Sequence, residues 1–231
     1  FVTPGTYSIT LTTTNSCGTV TTLPQTVIVK KPPTVAINSI PNLCLTGPSV
    51  TISPTAMVNS CAPASSNLTY NWNFSNGNGS PNSSTSAVPG TITYTSTGTF
   101  NVTLGVTNEC GTTNASQSFV VNPIPIITGP SSVCAGQSIT LSANSAGAAT
   151  NPWVSSNTAI ATVSATGVVS GIAVGTATIT FTNSSNCQTT QLITVNPLPT
   201  ATLLGTTTVC LNDVQPTLTF TGSGGTAPYT F

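Results

Sequence analysis

"GTFNVTLGVTNECG", residues 98–111, decides the fold. Its apolar residues Phe100, Val102, Leu104 and Val106 stand at every second position, with Asn101, Thr103 and Thr107 among those between. Successive side chains of an extended chain point to opposite faces, so the segment is a strand buried on one side. The stretch recurs. "GTYSITLTTTNSCG" at 5–18 aligns with it without a gap, and "GTATITFTNSSNC" at 175–187 more loosely, with Ala177, Ile179 and Phe181 on one face. Each copy runs into a Pro-rich ending, "VIVKKPP", "FVVNPIP" or "ITVNPLP". After each ending stands a cysteine landmark: Cys44 in "NLCLTGPSVTIS", Cys134 in "SVCAGQSITLS" and Cys210 in "TVCLNDVQPTLTF".

Repeats of this kind are read as modules. The landmarks predict the end of one domain at 1–33, complete domains at 34–125 and 126–199, and the start of a further domain at 200–231. On this reading the chain is a window on a longer protein. Short alternating strands separated by Gly, Pro, Asn and Ser clusters, with no stretch of helical period, predict an all-β chain of tandem Ig-like β-sandwiches. The junctions are Pro-Pro or Pro-x-Pro, and proline fixes φ near −65°, so consecutive domains are expected to form a semi-rigid rod.

Composition narrows the function classes. The 231 residues include two Lys or Arg, two Asp or Glu and no His, for a formal net charge of zero, while 38% are hydrophobic. There is apolar surface to bury, and the remaining surface is hydroxyl and amide rather than ionic. With Lys30 and Lys31 as its only cations, the chain cannot neutralise a row of phosphates, which argues against nucleic acid and anionic membranes as partners. No apolar run approaches the ~20 residues that span a bilayer, so no membrane insertion by this segment is expected. Seven cysteines without CxxC or histidine fit neither zinc nor a thioredoxin-like centre, and point to disulfides made in an oxidising, extracellular compartment.

Catalysis finds few players. General acid–base chemistry would fall to Glu109 or Asp213, which lie in different domains, so no enzyme and no cofactor are expected. Calcium needs several oxygen ligands, usually carboxylates, and no metal site is expected either. Lys30 and Lys31, before two prolines, read as a solvated domain boundary. Trp72 and Trp153 fall on strands at positions where sandwiches bury a tryptophan, and are assigned to the two cores rather than to sugar stacking. Asn67, Asn101, Asn114 and Asn183 begin Asn-x-Ser/Thr sequons, leaving glycosylation open.

The disulfides admit more than one scheme. Domain 126–199 has only Cys134 and Cys187, and their bond would close a loop worth roughly 4 kcal/mol in the chain-entropy model. In domain 34–125 repeat equivalence pairs Cys44 with Cys110. Sandwich geometry favours Cys61 with Cys110, because Cys61 follows the second strand and Cys110 ends the sixth. That choice leaves Cys44 near the opposite pole, where it would reach Cys187 across the junction, and Cys134 would bond further along the rod.

Two resemblances follow from motifs. "YNWNFSNG" before "TITYTSTGTFNVTLGVTNECG" resembles the PKD-type sandwich, whose usual motif is Trp-Asp-Phe-Gly-Asp-Gly ahead of a Gly-Thr-Tyr-x-Val-x-Leu strand. Asn73 and Asn76 replace that motif's aspartates, keeping its turn chemistry without its charge. "WVSSNTAIATVSATGVVSGIAVGTATITF" resembles bacterial Ig-like domains of group 2, and "FTGSGGTAPYTF" looks like the start of another Ig-like repeat. Strings of such cysteine-marked modules resemble the giant cell-surface adhesins of gliding Bacteroidota, of the SprB type, exported by the type IX secretion system. The resemblance implies a structural and adhesive segment of a filament attached at the outer membrane. Its partners would be extracellular surfaces or polysaccharides reached through the longer chain, neighbouring domains, and the gliding and secretion machinery. The alternatives are a glycan-binding or accessory region of a secreted polysaccharide-degrading enzyme, or a surface-coat protein.

Overall fold

The structure is a computed structural model, and it describes residues 1–60, 67–74, 78–205, 208, 210–212, 214 and 219–223. Cys61, Asn76 and Asp213 lie outside the described residues. Every regular element among the described residues is a strand, as the alternation predicts. The chain divides into two compact units, Phe1–Pro123 and Ile124–Phe231.

Unit 1 opens with β1 (Gly5–Ile9), β2 (Thr12–Asn15), β3 (Gly18–Thr21) and β4 (Gln25–Val29). β1 pairs with β4 and β2 with β3, so the four make one long interrupted hairpin. Between Ile9↔Gln25 and Thr12↔Thr21 one side has an extra residue, a bulge that falls where Pro24 cannot donate to the ladder.

The rest of unit 1 contains β5 (Thr34–Ile37), β6 (Leu43–Leu45), β7 (Val50–Ile52), β8 (Ala56–Asn59), β9 (Thr69–Phe74), β10 (Ser83–Ser84), β11 (Ile92–Tyr94), β12 (Gly98–Asn108) and β13 (Gly111–Pro123). One sheet has the order β10-β9-β12-β13-β6, and the pairs β5–β8 and β7–β11 cover its inner face. Phe100, Val102, Leu104 and Val106 are all buried there, which confirms the strand phase set by their spacing. Trp72 is fully buried, and its indole N–H donates to the Ser86 carbonyl at 3.0 Å. Tyr94, Phe100 and Phe119 meet at centroid separations of 4.6, 5.2 and 5.7 Å, in tilted and edge-on contacts that aromatic quadrupoles favour. Each such side chain is worth about 1.5–3 kcal/mol of burial, which makes this cluster the main cohesive element of the module.

Unit 2 repeats the plan with shorter strands: β14 (Ile127–Thr128), β15 (Ser132–Cys134), β16 (Ser138–Thr140), β17 (Ser142–Ala143), β18 (Trp153–Ser155), β19 (Ala161–Val163), β20 (Val168–Gly171), β21 (Gly175–Thr182) and β22 (Gln188–Asn196). A β15-β22-β21-β18 sheet faces a β16-β20-β19 sheet. Between them Ala177, Ile179 and Phe181 alternate inward, and the Trp153 ring lies 4.6 Å from that of Phe181. A last antiparallel pair, β23 (Thr200–Leu204) with β24 (Thr219–Ser223), follows.

One topological detail is shared by the sandwiches of the two units. Their first sheet strand pairs parallel to the last: β6 with β13, Cys44 beside Asn122, and β15 with β22, Cys134 beside Asn196. A strand-end cysteine therefore sits where each module's chain leaves it.

Candidate functional site: asparagine-capped hairpin tips

The repeated motif ends in a tight turn, built by an asparagine side chain and a closing glycine. In β12–β13 the last paired residues are Asn108 and Gly111, so Glu109 and Cys110 form a two-residue tip. β2–β3 closes identically, with Asn15 opposite Gly18 around Ser16 and Cys17. Asparagine opens such a turn because its carboxamide can accept from the backbone two residues on. Asn15 Oδ1 accepts from Cys17 N–H at 2.8 Å, and Asn108 Oδ1 accepts from Cys110 N–H at 2.9 Å. Gly18 and Gly111 have φ of 143° and 136°, values a side chain disfavours, which is why glycine ends both motifs.

The third copy reaches the same end with a longer tip. β21–β22 stops pairing at Thr182↔Gln188, and Asn183 Oδ1 accepts from both Ser185 N–H, at 3.0 Å, and Cys187 N–H, at 2.9 Å. Asn108 and Asn183, at 7% and 6% exposure, are the buried polar side chains among the described residues. Below the tips, hydroxyl pairs zip the strands: Thr14 with Thr19 at 2.9 Å, and its repeat equivalent Thr107 with Thr112 at 2.7 Å. Such cross-strand pairs contribute about 0.2–1 kcal/mol each.

Within unit 1 the β12–β13 tip is a docking point for the preceding segment. Asn108 uses its carboxamide N–H to donate to the Lys31 carbonyl at 2.8 Å, and Lys30 forms an ion pair with Glu109. Lys30 is thus half-buried and engaged, where its sequence context read as a solvated boundary. The tip of β12–β13 thus meets the chain between β4 and β5.

The cysteines depart from the within-domain expectations. Cys134 carries a free thiol, while Cys187 is disulfide-bonded. The reason is distance: Cys134 lies level with Asn196, nine residues along β22 from Cys187, or ~30 Å at ~3.3 Å per residue. A disulfide needs Cα atoms within about 7 Å. Cys110 is also free, so neither of its candidate bonds is present; Cys44, which is disulfide-bonded, lies level with Asn122, twelve residues or ~40 Å along β13. Cys61, the other candidate partner of Cys110, lies outside the described residues.

The remaining expected residues divide plainly. Trp72 and Trp153 are core residues, 0% and 8% exposed, and neither offers a ring face for stacking. Asn73 lies exposed on β9. Asn183 cannot carry a glycan, since its buried carboxamide is committed to the turn. The capping asparagines escaped the sequence reading, although their signal was there: an Asn stands before the cysteine in all three copies, "TNSC", "TNEC" and "TNSSNC".

Comparison with known proteins agrees with this architecture. Residues 34–121 match the PKD domain, and residues 120–195 match the bacterial Ig-like domain (group 2). The PKD and group 2 modules are extracellular-type, structural units of surface-associated proteins. No curated protein matches the chain in sequence. Among solved structures it is similar to the C-terminal fragment of intimin, seen in complex with the intimin-binding domain of its translocated receptor, at 20% identity and a TM-score of 0.49. That match covers 74% of this chain and 65% of the fragment. It is also similar to extracellular domains 3–5 of Drosophila OTK (14% identity, TM-score 0.40, covering 84% of this chain and 71% of that one). A titin I-band fragment is similar too (14% identity, TM-score 0.35, covering 84% and 77%). These likenesses concern fold. Among the described residues, no helix is long and apolar enough to cross a membrane.

Proposed function

We propose that the chain is a structural and adhesive segment of a long bacterial cell-surface filament that serves attachment and gliding, exported by type IX secretion and held at the outer membrane by the gliding machinery. On this reading it performs no catalysis. The observation that carries it is where the polar side chains go: the buried asparagines and the described ion pair build hairpin tips and a joint between successive segments, not a pocket. Outside that ion pair the surface is almost without charge, so there is little else for salt to screen or pH to titrate.

The test uses beads coated with antibody against residues 34–199 on live cells of the source organism. Beads that bind and travel along the cell support the proposal. Beads that bind and stay put reduce it to a passive stalk or coat, and beads that fail to bind overturn it in favour of a released protein.

A further inference from the structure

The two core tryptophans differ at their nitrogens. A buried indole ordinarily finds an acceptor for its N–H, and Trp72 has one in the Ser86 carbonyl. Trp153, only 8% exposed, has none: its Nε1 meets no acceptor among the described residues, yet it is not sealed from solvent. Within unit 2, the Trp153 and Phe181 side chains form the floor of an open groove of about 350 Å³, bordered by the β16–β17 segment, the loop before β18 and the β19–β20 turn. Its rim carries the exposed hydroxyls of Thr140, Ser142, Ser145 and Thr166. The Thr166 hydroxyl is bonded to that of Ser164 at 2.9 Å, whereas those of Thr140, Ser142 and Ser145 have no partner among the described residues.

We propose that this groove binds a neutral saccharide, the Trp153 indole N–H donating to a sugar oxygen and the rim hydroxyls exchanging hydrogen bonds with those of the sugar. The lining selects that class of ligand. It contains no ionisable group, so a charged ligand would enter without a counter-charge. Hydroxyls donate and accept alike, as a sugar's do, and each rim group can turn to suit its partner. The volume lies within the range of roughly 300–1,000 Å³ usual for small-molecule sites, and the open side lets a chain of sugars continue past the ring that is held. Because the Trp153 ring packs on that of Phe181 at 4.6 Å, its edge and not its face meets the sugar. Contact without stacking is weak singly and gains strength when many sites engage one polymer. The site deepens the adhesive reading by giving one module a contact of its own, and it is read on the purified chain, so it fails or stands separately from the bead experiment.

The test is a nuclear magnetic resonance titration of the isotopically labelled 231-residue chain with cellohexaose, laminarihexaose, mannohexaose and chitohexaose at millimolar concentration. The chain has two indole N–H resonances, and Trp72→Phe tells them apart. The expected result is that at least one hexasaccharide shifts the Trp153 indole resonance and the backbone amides of Ser142 and Ser145 saturably, while the Trp72 indole resonance stays in place. Thr140→Val combined with Ser145→Ala removes two rim hydroxyls from exposed positions, and should raise the dissociation constant about tenfold with the β-sheet circular dichroism kept. No shift of the Trp153 indole with any of the four sugars, unchanged affinity in the double variant, or tighter binding of the anionic hexagalacturonate overturns the proposal.

Discussion

Replacing Asn183 with alanine removes the acceptor that organises the tip of β21–β22. Its Oδ1 takes two backbone N–H groups, that of Cys187, which is buried, and that of Ser185, which is partly so. A buried donor left without a partner costs about 1–3 kcal/mol, whereas the Ser185 N–H can turn to water at about 0.5–1 kcal/mol. The sum is about 1.5–4 kcal/mol. For a module of this size, each kcal/mol moves the midpoint by about 4–8 °C, so the melting temperature of the Ig-like module should fall by about 6–30 °C. The assay can be made local. The chain has two tryptophans, so Trp72→Phe leaves Trp153 as the sole reporter, and its ring packs on Phe181, two residues before the cap. In that background, Asn183→Asp keeps the acceptor and should stay within about 1 kcal/mol of the parent at neutral pH. A loss below about 0.5 kcal/mol for Asn183→Ala, or equal losses for the two variants, would refute the capping argument.

Other substitutions probe the rest of the frame. Trp72→Ala should destabilise the PKD-like module by about 3–5 kcal/mol in urea unfolding, since it empties a fully buried site and deprives the Ser86 carbonyl of its indole donor. At Gly111 an added Cβ meets nothing nearer than Pro32 Cγ at 3.7 Å, so Gly111→Ala should cost about 1–2 kcal/mol through its positive φ alone. Gly79→Ala, whose Cβ would stand 2.7 Å from Phe74 Cβ and 2.9 Å from Ile92 Cγ2, should cost about 1–3 kcal/mol through displacement of the core. Raising salt from ~10 mM to ~1 M, which shortens the Debye length from about 30 Å to about 3 Å, should change the stability of the chain by less than about 1 kcal/mol. A larger change would show that ionic contacts matter more than the composition allows.

The strands were legible because burial on one face imposes a period of two, and nothing in Phe100-Asn-Val-Thr-Leu-Gly-Val106 competes with it. The core tryptophans were legible for the same reason. The separation of the cysteines within each repeat was not, because the register that parts Cys44 from Cys110 and Cys134 from Cys187 comes from parallel pairing of β6 with β13 and β15 with β22. Asn183 illustrates a second limit. As a string, "NSS" is a glycosylation sequon; only the closing of the turn around it shows that its side chain faces inward. Lys30 met its acid partner, Glu109, 79 residues away, a distance that no local reading spans.

The parallel pairing has a mechanical consequence. When a sandwich is pulled by its two ends, tension passes through β5 or β14 into β6 or β15 and leaves through β13 or β22. In each module the latter two strands point the same way and lie side by side over three residue pairs. The pull therefore runs along the strands, loading their cross-links together in shear instead of opening them one after another like a zipper. A sandwich built this way yields late and abruptly when it is pulled along these strands.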